Sequence, residues 1–163
     1  GRKVQYFDPE TNESYTPYVV ETSVGLDRLF LAVLSTALDE EVLEDGSSRT
    51  VLRLPYAIAP IQVAILPLLK KDGLPELAQK VYEELRWDFQ VSVDEKDAIG
   101  KRYRRQDAVG TPYCITVDHQ SVEDGTVTIR ERDSMAQERI PINDLSSRLQ
   151  SSVSMTSLLK KLS

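Results

Sequence analysis

The run Glu21-Thr22-Ser23-Val24-Gly25-Leu26-Asp27-Arg28 concentrates residue types that bind small charged ligands. A carboxylate can receive an ammonium group and a hydroxyl can hydrogen-bond a small molecule. An arginine one turn into a following helix can reach a phosphate or stack on a base. A strand ending here and a helix starting at Leu26 would put free backbone N–H groups beside them, the usual setting of an anion site. The same spacing fits a plainer arrangement, with Ser23 capping the helix and Glu21 paired to Arg28. A second group is cationic. Lys101, Arg102, Arg104 and Arg105 put four positive charges within five helical positions around Tyr103. Arg130, Arg132 and Arg139 gather about a strand and a turn, which makes Arg130 and Arg132 candidates for base reading. Such groups suit RNA phosphates, and guanidinium planes stack on unpaired bases. A solvated helix face is the simpler alternative. Tyr103, on the side of Ile99, is expected in the core rather than as a stacking platform.

Other chemistries fail on the inventory. No glycine pair has the G-x-G spacing, and Gly100-Lys101 lacks the upstream glycine of a phosphate loop. His119 is the only histidine, so a multi-histidine metal site is impossible and no metal site is expected; a Ser-His-Asp triad would rest on that one residue. A solvated histidine at a strand end is the better reading. Cys114, the only cysteine, lies in an apolar run and reads as core. It excludes an internal disulfide and fits a reducing, intracellular compartment.

The elements that must position these residues follow from periodicity. Val4–Phe7 and Tyr15–Val20 are strand-like, with turn residues from Asp8 to Ser14 between them, and the chain enters the first of these runs from Lys3. From Leu26 the period changes: Leu26, Leu29, Phe30, Val33, Leu34, Ala37 and Leu38 share one helical face, predicting a helix that ends near Asp45–Gly46. Ser47, Ser48 and Arg49 then read as a polar joint, dividing the chain into residues 1–48 and 49–163. Beyond it, Val51–Leu54 and Ile61–Leu66 are strand-like, Leu74–Leu85 is helical, and Phe89, Val91 and Val93 alternate as a strand. Asp97 can cap a helix running to Val109, with Gly110 as its C-terminal residue. Tyr113–Val117, Thr126–Arg130 and Arg139–Ile142 read as strands and Leu145 onward as a closing helix. The fold class is α/β: a mixed, mostly parallel sheet flanked by helices, with an antiparallel edge.

Composition agrees. The 163 residues carry 20 Lys plus Arg and 26 Asp plus Glu, a net charge of −6, with 40% apolar and 28% charged residues. Those are ordinary values for a globular chain and exclude a disordered or collagen-like one. Residues 1–50 hold four basic and ten acidic groups, and residues 51–163 hold sixteen of each. The acidic excess thus belongs to the first segment, which leaves room for a nucleic-acid-binding patch in the second. The longest apolar stretch, Tyr56 to Leu69, is too short to span a bilayer and contains Pro60 and Pro67, so no membrane is expected as a partner. No secretory leader is visible, and a start at Gly rather than Met reads as a piece of a longer protein.

The run Tyr18-Val19-Val20-Glu21-Thr22-Ser23-Val24-Gly25-Leu26-Asp27-Arg28 resembles the third signature motif of class II aminoacyl-tRNA synthetases, in its glycyl-tRNA synthetase form. The resemblance continues through Leu54-Pro55, Ala59-Pro60 and Ile65–Leu68, and is strongest from Ile99 to Pro112. It returns from Val127 to Met135, with Gln137 and Arg139. Thr22 departs from a proline frequent in the family, and the stretch from Ser151 has no match. The resemblance implies a strand–helix end of a class II catalytic domain, followed by an anticodon-binding domain of the class IIa type. It implies glycine binding by Glu21, Thr22, Ser23, Val24 and Gly25, and ATP binding by Gly25, Leu26, Asp27 and Arg28. ATP and magnesium would serve the full-length enzyme, with neither bound to this piece, which alone would be inactive. The partners implied are tRNA(Gly), glycine and ATP, in a cytoplasmic homodimer. RNA contacts would fall to Lys101, Arg102, Arg104, Arg105, Arg130, Arg132 and Arg139. Two alternatives stay open: a non-catalytic nucleic-acid-binding relative, such as a polymerase accessory subunit, and a sister class II synthetase.

Overall fold

A computed structural model describes residues 4–162, with side chains to residue 160; Lys3, at the head of the first strand-like run, lies outside them. By contacts the chain forms two compact units, Gly1–Leu31 and Ala32–Ser163.

In the first unit, β1 (Tyr6–Asp8) and β2 (Glu13–Tyr15) pair as an antiparallel hairpin, with the Tyr6 and Tyr15 rings edge to face at 5.7 Å. The second strand therefore lies mostly in the stretch expected as a turn, and shares only Tyr15 with the strand expected over Tyr15–Val20. Residues 16–25 have no regular secondary structure, and Tyr18, Val19 and Val20 are exposed. A strand exists through its ladder, and no neighbouring strand pairs with this run. Helix α1 (Leu26–Ala37) starts where the change of period places it, and Leu26, Leu29 and Phe30 of its apolar face are exposed.

The helix does not run on to Gly46. It ends at Ala37, and β3 (Leu38–Val42) pairs antiparallel with β4 (Ser48–Leu52) in full register from Leu38–Leu52 to Val42–Ser48. Gly46, at φ 78°, serves the turn of this hairpin, where the Asp45 carboxylate accepts the Ser47 N–H at 2.9 Å. Its left-handed conformation belongs to the turn, not to a helix end. The expected polar joint Ser47–Arg49 is accordingly the turn and the first residues of β4. The Val51–Leu54 strand joins this hairpin and not the main sheet.

The main sheet has five strands in the order β6-β5-β7-β8-β9: β5 (Val63–Pro67), β6 (Val91–Val93), β7 (Tyr113–Val117), β8 (Thr126–Glu131) and β9 (Gln137–Pro141). β5 runs parallel to β6 and β7, and β8 is antiparallel to both its neighbours. β5 and β7 are buried along their whole length, which is why their sequences, Val-Ala-Ile-Leu-Pro and Tyr-Cys-Ile-Thr-Val, show little alternation. Val63, Ile65, Ile115, Val127 and Ile129 face α2 (Leu74–Leu85) and α5 (Leu145–Val153), which bring Leu74, Ala78, Val81, Leu85, Leu145 and Leu149 into one core. On the other face Ala64, Leu66 and Cys114 meet Ile99 and Tyr103 of α3 (Ile99–Val109). This is the α/β fold that the sequence implies. Two short helices complete it: α4 (His119–Asp124), boxed at its start by Asp118 and Ser121, and α6 (Met155–Leu162) after a break at Ser154. α4 was not foreseen, and exposed His119 opens that helix rather than ending a strand.

Candidate nucleic-acid interface

Helix α3 carries the densest cation run, and its two faces treat those cations differently. Ile99, Arg102, Tyr103, Gln106 and Asp107 follow the 3.6-residue period and turn toward the sheet. Asp97 does not cap this helix. Ala98 is the capping position, with no side-chain bond, and the Asp97 carboxylate instead accepts from Arg105 Nη2 at 2.7 Å. Gly110 ends the helix at φ 86°, as expected from its place in the sequence.

Three of the seven candidate cations lie inside the protein, and their expected placement on accessible surface is corrected. Arg102 is 3% exposed, Arg130 5% and Arg132 2%. Arg102 donates to the carbonyls of Pro67 (2.6 Å), Leu68 (3.2 Å) and Asp94 (3.1 Å), gathering the outgoing ends of β5 and β6 under α3. Arg130, on the α3 side of β8, makes a two-bond contact with Asp107 at 2.8 and 3.0 Å and lies 4.8 Å over the Tyr103 ring. Arg132 donates to the carbonyls of Leu52, Leu54 and Gly110 at 2.9–3.0 Å, and to Asp133. A rigid fork of five donors suits this stapling, and a lysine could not replace it. Arg102 and Arg132 share one physical reason, since main-chain carbonyls at element ends need donors and these arginines supply them, whereas Arg130 is held inside by the Asp107 carboxylate.

The remaining four stand nearer to solvent. Arg105 is held by Asp94 and Asp97 at 3.1 and 2.7 Å. Arg139 binds Asp118 through both terminal nitrogens at 2.7 and 3.0 Å, which pulls that carboxyl down to about 2. Arg104 is exposed and donates to the Ser47 hydroxyl and the Ser48 carbonyl. Lys101 is exposed. Among the described residues neither Lys101 nor Arg104 is within ion-pair distance of a carboxylate, so their charges remain available to an anion.

Two participants escaped the reading by residue type. Asp107, 1% exposed, holds Arg130 and also Arg49 of β4, at 3.3 Å. Its signal was present: it lies eight positions after Ile99 and four after Tyr103, on the buried face. Tyr56, whose hydroxyl bonds Glu131 and Asp133, carried no such signal, since those partners are 75 and 77 residues away. Cys114 lies on β7 opposite Arg130, and burial pushes its thiol up to about 12, which fits core and not nucleophile.

The Glu21–Arg28 group lies in the other unit. Glu21, Thr22, Ser23, Val24 and Gly25 precede the helix in irregular, exposed chain rather than at a strand end; Leu26, Asp27 and Arg28 form the first turn of α1, also exposed. Among the described residues no group of three or more His, Cys, Asp or Glu side chains is arranged to hold a metal ion. Nor is any described helix long and apolar enough to cross a membrane.

Residues 62–152, from the start of β5 into α5, match the family described as "Anticodon binding domain". The chain belongs to that family. Members that it resembles are named glycine–tRNA ligase. That of Borrelia hermsii is 57% identical over 141 residues, covering 86% of this chain and 32% of the relative. That of Treponema denticola is 52% identical over 158 residues (94% and 35%), and that of Geobacillus thermodenitrificans 54% over 145 residues (89% and 31%). The chain thus spans about a third of the length of these curated relatives. Among solved structures, the RNA-binding domain of threonyl-tRNA synthetase from Cryptosporidium parvum superposes with a TM-score of 0.56 at 28% identity. It covers 61% of this chain and 25% of that one. The anticodon-binding family match encloses the whole five-stranded sheet and leaves the β3–β4 hairpin and the first unit outside it.

Proposed function

We propose that this chain is part of a glycine–tRNA ligase, in which residues 49–163 bind the anticodon region of tRNA(Gly) and residues 1–48 belong to the end of the catalytic domain. The observation that carries this reading is the anticodon-binding family match over residues 62–152, together with relatives of that one name at 52–57% identity. In the complete enzyme, a homodimer of the cytoplasm, ATP would activate glycine as the adenylate. Glycine offers only an ammonium and a carboxylate, so its selection rests on reading those charges and on closing the space a side chain would need. Glu21 is suited to the ammonium and Ser23 to a hydrogen bond, with Thr22, Val24 and Gly25 lining the same turn. Leu26 and Asp27 carry the chain into α1, and Arg28 is placed on its first turn to meet triphosphate charge. This piece by itself activates no glycine.

RNA contact falls to the outer face of α3, on Lys101 and Arg104, with Arg105 and Arg139 beside carboxylates that a phosphate would have to displace. The test is a titration of the chain with the anticodon stem-loop of a glycine tRNA, and with one of altered anticodon, at two salt concentrations. Lys101→Ala combined with Arg104→Ala should weaken binding to both and flatten the dependence of log K on log salt by roughly one to two units. A double variant that keeps both the affinity and the slope of the wild type makes this helix face merely solvated, and the reading fails.

A further inference from the structure

The turn of the β3–β4 hairpin lies outside the matched residues 62–152, yet it reaches the outer face of α3. Arg104 Nη2 donates to the Ser47 hydroxyl oxygen at 2.9 Å, and Nη1 to the Ser48 carbonyl at 3.4 Å. The Ser47 hydroxyl in turn donates to Asp45 Oδ1 at 2.6 Å, and the Ser47 N–H donates to the same oxygen at 2.9 Å. The one proton of that hydroxyl is spent on Asp45, which leaves its lone pairs to the guanidinium. The hydroxyl and N–H bonds from Ser47 hold the Asp45 carboxyl below its usual value, so the acceptor that turns the hydroxyl stays ionised.

The turn stands on a fixed base. The Gly46 N–H donates to the Leu43 carbonyl at 2.9 Å, and the Leu43 N–H to the Ser47 carbonyl at 2.8 Å. Below it, buried Arg49 pairs with Glu41 across the hairpin at 3.1 Å and with Asp107 of α3 at 3.3 Å. Hairpin and α3 thus share one frame, wholly within the second compact unit. The acceptors chosen for Arg104 are chemically distinct from those of its neighbour. Arg105 is held by two carboxylates, which offset its charge. Arg104 is held by a hydroxyl and a carbonyl, neutral groups that orient a cation and leave its charge in place. Two of its five N–H groups are used in this way, and three remain for an anion.

We propose that Ser47, oriented by Asp45, is a positioning residue for the phosphate contact of Arg104, and that the hairpin turn pre-orders this side chain before RNA arrives. A long exposed arginine otherwise loses rotamer freedom on binding, and that loss is subtracted from the affinity of the contact. Held by the turn, Arg104 has already lost it. The proposal rests on the RNA-binding reading above, and it gives a part in that reading to residues which the family match leaves out.

The experiment is a fluorescence titration of the chain against the anticodon stem-loop of a glycine tRNA over a series of salt concentrations, for Ser47→Ala, Arg104→Ala and the two combined. Ser47→Ala should weaken binding roughly two- to tenfold and leave the slope of log K against log salt unchanged, because the same phosphates are still met. Arg104→Ala should lower the affinity and also flatten the slope by about one unit. With Arg104 already removed, Ser47→Ala should cost nothing further, since its effect passes through that side chain. Ser47→Thr, which keeps the hydroxyl, should restore wild-type binding. A Ser47→Ala chain with wild-type affinity beside a weakened Arg104→Ala overturns the proposal and leaves the RNA reading standing. A loss from Ser47→Ala that persists without Arg104 overturns it as well, because the hairpin would then be distorted rather than failing to orient one cation. No binding of the stem-loop by the wild-type chain sinks the RNA reading, and this proposal with it.

Discussion

Asp107 is the residue on which most buried charge converges. One carboxylate, almost wholly enclosed, receives two bonds from Arg130 and a longer one from Arg49. Burying three ionised groups is tolerable only while each is paired, because removing one partner strands the others in a medium that solvates them poorly. Asp107→Asn keeps the shape and deletes the charge, leaving two guanidinium groups without it. It should cost about 3–5 kcal/mol, a large share of the stability of an ordinary domain. Lys101→Ala, at the exposed side of the same helix, should stay within about 0.5 kcal/mol. Urea unfolding of the two variants checks this; an Asp107→Asn midpoint close to that of Lys101→Ala would mean that the arginines find other partners.

Among the elements, the end of α3 and the β3–β4 hairpin approach closely at Gly110. A Cβ there would lie 2.9 Å from the Leu52 carbonyl oxygen, and φ is 86°. Both obstacles are backbone ones, and that oxygen also accepts from Arg132. Gly110→Ala should therefore destabilise by about 1–3 kcal/mol. Gly100→Ala, on the same helix with open space around it, should be neutral or stabilising by up to about 1 kcal/mol. Thermal unfolding of both reads the opposite signs, and equal melting temperatures would refute the close approach.

The same two elements show what could be read from sequence. α3 was legible in its period and its terminal glycine, which are local signals, but not in its cap, because Asp97 turns to Arg105 and Ala98 takes the capping position. Its inward arginine, Arg102, was legible only as a charge, since its partners are the carbonyls of Pro67, Leu68 and Asp94 at strand ends. The β3 half of the hairpin reads as helix because Leu38 continues the apolar period of α1, and only pairing with residues 48–52 decides otherwise. At the ligand motif the residue types could be read and the backbone could not: a run such as Val19-Val20 becomes a strand only beside another strand.

Across the whole molecule, charge count and charge placement diverge. Residues 51–163 sum to zero, yet Arg102, Arg130 and Arg132 cannot touch a phosphate, while among the buried residues Asp107 is the acid. An electrostatic pull on any anion must therefore come from a local patch, since residues 51–163 taken together offer little long-range steering. The central strand has a separate consequence. Cys114 is the single thiol of the chain, enclosed on β7 between two other strands and raised to about 12 by burial. Almost none of it is thiolate at neutral pH, and a disulfide reagent cannot reach it while β5 and β8 remain paired to β7. Its modification should therefore proceed only as fast as the sheet opens, one label per chain, with a denaturant dependence equal to that of complete unfolding. Labelling within seconds in native buffer would show that β7 opens alone. Otherwise that sulfur is a clock for the sheet, set in its middle and needing no added probe.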